Sequence, residues 1–169
     1  MQGSDASDQL EQLAYCGLHC GTCYLRNGHI ADHATALLAE LKSMRFEKWG
    51  PPLASMNPRE FAAFRHAQDA LEVLEAWNAM RCERPCRSGG GSADCKIREC
   101  CKTSRRLGCW ECGQAEQCET LAVLKPVNGN LHIDNLRRIK TIGVSAFLAE
   151  SAKERRLTFY TDEDDPSLG

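Results

Sequence analysis

Residues 82–118, CERPCRSGGGSADCKIRECCKTSRRLGCWECGQAEQC, decide how this chain folds. They carry eight of its eleven cysteines but no sustained apolar stripe, and they include the run Ser88-Gly89-Gly90-Gly91-Ser92. Such a stretch buries too little surface to offset its own ordering entropy, so it needs another source of energy. The thiols supply a candidate. Cysteines two to four residues apart, as in Cys82-x3-Cys86, Cys95-x4-Cys100 and Cys109-x2-Cys112 followed by Cys118, can place both sulfurs on one tetrahedral ion with bonds of about 2.3 Å. Structural zinc adds about 10–16 kcal/mol to the folding of short ligand-bearing segments. The spacing therefore predicts a loop-rich module folded around metal, with zinc as the favoured ion and two ions as the expected number. Cys100 and Cys101 are adjacent and cannot easily share one ion, so one of them reads as a spare.

A further cluster lies upstream. YCGLHCGTC, residues 15–23, spaces Cys16-x3-Cys20-x2-Cys23, which reads as a structural set completed by a histidine or a distant cysteine. His29 and His33 stand four apart on one predicted helix face and are within sequence reach, whereas His19, His66 and His132 have less claim. Two other chemistries fit the same residues. The spacing is also that by which radical S-adenosylmethionine enzymes hold a four-iron cluster, although Thr22 stands where those enzymes carry an aromatic. Cys20-Gly21-Thr22-Cys23 is similar to a thioredoxin-type pair, which needs a βαβ context not visible here. An iron–sulfur or thiol redox protein built on Cys16, Cys20 and Cys23 is thus the alternative to structural zinc.

The compartment bears on the choice. The opening residues MQGSDASDQL lack a basic and then apolar leader, and no run of about 18 apolar residues occurs, which predicts a cytoplasmic protein with no membrane span. In a reducing compartment eleven thiols point to metal or redox chemistry rather than disulfides, and an odd number cannot pair completely. A net charge of −2 and a pI near 6.2 give no global nucleic-acid footprint. From Arg81 to Cys118, eight Lys and Arg face five Asp and Glu, a local charge of +3. Two divalent ions on eight thiolates would carry about −4, so those cations are read as neutralising metal–thiolate charge. A zinc-stabilised nucleic-acid binder remains a third alternative, and a protein partner is favoured over nucleic acid.

Around the cysteines the pattern is helical. Ile30, Ala34, Leu37, Leu41 and Met44 predict a helix that stops before Gly50-Pro51-Pro52. Asn57-Pro58-Arg59-Glu60 has the composition of a helix start, and Phe61, Phe64, Ala67, Leu71, Leu74 and Trp77 extend it over about 58–81. Leu121 and Leu124 predict a short helix ended by Pro126. Asn128-Gly129-Asn130 reads as a turn, and Leu136, Ile139, Val144, Phe147 and Leu148 predict two helices on either side of Gly143, ending near Arg156. Gly89-Gly90-Gly91 lacks the Gly-Lys-Ser/Thr of a phosphate loop and reads as a flexible connector. No Ser/His/Asp order, His-Glu-x-x-His or paired-carboxylate signature occurs, so a non-catalytic interaction or regulatory module is favoured over an enzyme.

YCGLHCGTC, CKIRECC at 95–101, GCWECGQAEQCETL at 108–121 and NLRRIKTIG at 135–143 together resemble a cysteine-rich prokaryotic family, domain of unknown function 3795. The likeness spans about residues 14–150. It implies a bacterial or archaeal source and metal binding through Cys16, Cys20, Cys23, Cys82, Cys86, Cys95, Cys100, Cys109, Cys112 and Cys118, with Cys101 as an extra. Three residues rather than two separate Cys82 from Cys86, and Gln117 replaces the usual proline before the last cysteine. The expected fold is mainly α, a helical layer against a cysteine-ligated module. Residues 13–157 would form one metal-stabilised domain between tails 1–12 and 158–169.

Overall fold

The computed structural model describes residues 6–153; the predicted tail at 158–169 lies outside them. Ten α-helices occur among the described residues: α1 (Ala6–Glu11), α2 (Tyr24–Asn27), α3 (His29–Ser43), α4 (Phe46–Met56), α5 (Ala67–Ala79), α6 (Lys96–Thr103), α7 (Glu119–Ala122), α8 (Lys125–Asn128), α9 (Leu131–Ile142) and α10 (Val144–Ser151). The chain is mainly helical as expected, and the one piece of β-pairing among these residues is an isolated antiparallel bridge between Leu13 and His19. Contacts divide the described residues into two compact units, 28–81 and 6–27 with 82–153.

The 28–81 unit is built on α3 and α5, which run antiparallel. Arg81 pairs with Asp32, Thr35 Oγ1 donates to Asn78 Oδ1 at 2.8 Å, and Lys42 meets Glu75 at 2.5 Å. The buried face of α3 is Ala31, Ala34 and Leu38, one residue round from the predicted stripe. Small alanines let the helices approach closely, whereas Leu37 and Met44 remain half-exposed. Contrary to the predicted start at 58, α5 begins at Ala67, preceded by a 3₁₀ turn at Ala62–His66. Asn57 and Glu60 do bond side chain to side chain, at 2.9 Å, but they close a turn. The prolines also behave unexpectedly. The chain reverses at Arg45 (φ 56°), and α4 then runs through Gly50-Pro51-Pro52. Each proline removes a helix hydrogen bond. Offsetting this, Phe46, Trp49, Phe61 and Phe64 form an edge-and-stack aromatic cluster with centroids 5.1–6.1 Å apart.

The other unit buries Leu13, Tyr15, Cys16, Ile97, Cys101, Cys109, Trp110, Leu121, Leu136, Ile139, Phe147 and Leu148 in one core. Leu10 of α1, inside the stretch read as a polar tail, packs against it. Gly129 (φ 51°) and Gly143 (φ 80°) form the turns expected of them, with α9 and α10 on either side of Gly143. Pro126 stands in the first turn of α8 instead of ending a helix, a position where its missing N–H is not needed.

Candidate metal centre

The cysteines are presented by tight turns. Residues 12–20 double back on themselves, with Ala14 N–H on the Leu18 carbonyl at 2.8 Å and Cys20 N–H on the Gln12 carbonyl at 2.7 Å. Gly17 turns this loop at φ 86°, and a Cβ there would lie 2.9 Å from Leu136 Cδ2, so the tip that buries Cys16 tolerates only glycine. Three 3₁₀ turns follow one plan: Cys20–Thr22 before Cys23, Cys109–Glu111 before Cys112, and Ala115–Gln117 before Cys118. In each the closing cysteine is extended and its N–H bonds to the residue three back, at 3.0–3.3 Å. Residues three apart eclipse in such a turn, which brings Cys20 and Cys23, and likewise Cys109 and Cys112, to one side. Cys109 N–H also bonds the Tyr15 carbonyl at 2.8 Å, joining the upstream loop to the downstream cluster.

The fold thus brings together cysteines that are far apart in sequence. Burial pushes the Cys16 thiol up to about 12; the Leu18 N–H opposes this, and the neighbouring Cys86, Cys95 and Cys20 sulfurs add to it. Burial likewise raises Cys20 to about 11, opposed by a hydrogen bond from the Cys86 backbone and reinforced by Cys86, Cys23 and Cys82. A redox pair of the thioredoxin kind needs a depressed first thiol, and Cys20 is driven the other way. A second group centres on Cys109, whose sulfur lies 3.6 Å from that of Cys101. Their shared hydrogen bond, then burial, raises Cys109, with Cys101, Cys16 and Cys118 nearby; Cys101 is lowered by the same bond and by Arg106 and Arg87. Cys100 is exposed on α6, while Cys101, the cysteine set apart by the family pattern, is 2% exposed. All eleven cysteines are free thiols, and among the described residues no three His, Cys, Asp or Glu side chains stand closed around a common point. His29 and His33 sit exposed on α3, in the 28–81 unit.

Two arginines from the basic run face inward. Arg98, 8% exposed, donates from Nη1 to the carbonyls of Cys86 (3.2 Å) and Gly90 (2.8 Å), and from Nη2 to those of Ser92 (2.6 Å) and Ala93 (2.9 Å). Gly90 packs so closely on the Arg84 carbonyl that a Cβ would fall 1.7 Å from its oxygen. The glycine run is therefore a wrapped loop rather than a loose connector. Arg87 donates to the Leu10, Leu13 and Leu107 carbonyls at 2.6–2.8 Å and stacks over Tyr15 at 4.4 Å. Among the described residues neither Arg87 nor Arg98 pairs with a carboxylate.

Two histidines with little claim from sequence are buried. His19 Nδ1 meets Ser151 Oγ at 2.8 Å while its Nε2 has no partner, and His132, 2% exposed, leaves Nδ1 without one. The available signal was helical spacing, since His132 lies four and seven residues before Leu136 and Ile139 on the buried face of α9. Burial lowers the His132 pKa from 6.5, against a smaller opposing effect of Asp134. Below about pH 6.5 the unfolded chain therefore takes up a proton that the folded one resists, and stability falls as pH drops. At fixed zinc concentration, melting temperature should fall less between pH 7.5 and 5.5 for His132→Leu than for the unsubstituted protein; parallel profiles would exclude this role.

Fold and site together define a mainly helical, cysteine-rich protein whose thiols are concentrated in one of two compact units. A family model, protein of unknown function DUF3795, matches residues 12–123, and the chain belongs to that family. The match takes in every cysteine and stops before the 135–143 run that also carried the resemblance. No curated protein and no solved structure gives a significant match.

Proposed function

We propose that this protein binds metal, two zinc ions in a structural role, and acts as a non-catalytic interaction or regulatory module in a reducing, cytoplasmic setting. One observation carries the reading: a buried guanidinium, Arg98, donates to the backbone carbonyl of Cys86 and to three others, with no carboxylate among the described residues to balance its charge. A buried cation without a counter-charge is costly. Zinc on four thiolates carries a net charge of −2 and would provide it. Closed four-thiolate zinc has no open coordination position, which fits a stabilising role rather than hydrolysis.

The alternatives draw less support. Arg87 and Arg98, which a nucleic-acid binder would turn toward phosphate, are committed to carbonyls. No helix among the described residues is long and apolar enough to cross a membrane. Elemental analysis of anaerobically purified protein tests the choice of ion: about two zinc per chain is expected. Brown protein containing iron and acid-labile sulfide would replace zinc with an iron–sulfur cluster.

A further inference from the structure

We infer that one of the two ions is held by Cys101 together with Cys109 and Cys112, with Cys100 outside the site; this ligand assignment rests on the metal reading above. It departs from the family pattern, which points to Cys100. Successive residues of a helix lie about 100° apart, so Cys100 and Cys101 cannot face the same ion from α6. Cys101 faces the core, 2% exposed, and Cys100 faces outward. The Cys101–Cys109 sulfur separation of 3.6 Å is close to the edge of a tetrahedron with 2.3 Å metal–sulfur bonds, about 3.8 Å.

Arg106 supplies the second line of support. Its backbone N–H bonds the Cys101 carbonyl at 2.9 Å, and its Nη1 donates to Cys112 Sγ at 3.5 Å, so one residue ties the end of α6 to the Cys109–Glu111 turn. Donors onto ligand sulfurs, which orient them and spread their charge, are the usual outer layer of a metal site. Cys118 repeats the local geometry of Cys112, extended after a 3₁₀ turn, and both Cys16 and Cys118 act on the Cys109 sulfur, so the fourth ligand comes from these two. Loading forms four zinc–sulfur bonds and releases to solvent the protons of those thiols still protonated.

The test uses the full chain, reduced and anaerobic, as unsubstituted protein, Cys100→Ser and Cys101→Ser. Zinc per chain is measured first, then cobalt is exchanged in and its sulfur charge-transfer and ligand-field bands are recorded. Cys100→Ser should keep both ions and an unchanged cobalt spectrum, while Cys101→Ser should lose one ion and about half of the charge-transfer intensity. Should the buried substitution prevent folding, the Cys100 variant still decides, because its side chain is on the surface. Loss of an ion from Cys100→Ser, or full retention by Cys101→Ser, overturns the assignment and leaves the metal reading standing. Fewer than two ions in the unsubstituted protein overturns both.

Discussion

Arg98→Met should melt about 6–12 °C below the unsubstituted protein, the shift that a loss of about 3 kcal/mol produces in a chain of this length. Methionine fills much of the same space but donates nothing, so the carbonyls of Gly90, Ser92 and Ala93 lose this donor together, while that of Cys86 keeps the Gly89 N–H at 3.2 Å. A buried unsatisfied acceptor costs about 1–3 kcal/mol, and water can reach the partly buried ones, which keeps the total below the sum of such losses. Arg98→Lys should recover less than half of the difference, because an ammonium is a point donor and cannot span four acceptors as a planar fork does. Lys102→Met on the same helix, where the side chain is exposed, should stay within about 2 °C. If Arg98→Met melts as Lys102→Met does, the guanidinium does not hold the loop.

This arginine also shows where sequence reading stops. A charge count treats Arg98 as one of eight local cations, and nothing in the spacing separates a side chain that wraps a loop from one in water. The same limit applies to Gly89-Gly90-Gly91, whose composition suggests looseness, although Gly90 is fixed by its approach to the Arg84 carbonyl. Helical character, by contrast, is written in local spacing. α3, the turns at Gly129 and Gly143 and the α9–α10 pair were all legible, because each needs only neighbours along the chain. The face that α3 buries was missed by one residue, since that depends on which helix packs against it. α4 was missed because two prolines outweigh a short apolar pattern until the aromatic cluster compensates.

At the candidate centre the cysteine list came from spacing, but the grouping did not. Cys16 and Cys20 lie beside Cys86, and Cys109 beside Cys101, through long-range packing that intervals of two to five residues cannot encode. Burial of His19 was hidden for the same reason, whereas that of His132 could be read from its helical spacing to Leu136 and Ile139. The family match covers the cysteines and fixes membership, while a family of unknown function adds no chemistry of its own.

Metal removal carries the largest expected effect. The turns that present Cys23, Cys112 and Cys118 are single 3₁₀ turns, and the described core around them is interrupted by thiols that, without an ion, contribute as small apolar groups at best. Arg98 and Arg87 hold backbone, but Arg98, as a buried cation, weakens the unit when no thiolate charge offsets it. Even one ion at the lower end of about 10 kcal/mol shifts the melting temperature by about 20 °C or more. The decisive measurement is therefore amide hydrogen exchange with thermal melting on fully reduced protein, metal-loaded and then stripped by chelator. Stripping should abolish protection across residues 82–118 and in the 13–23 loop, with recovery when zinc is returned. Stripped, reduced protein that keeps its protection there and melts at the same temperature would contradict the claim that metal holds this unit together.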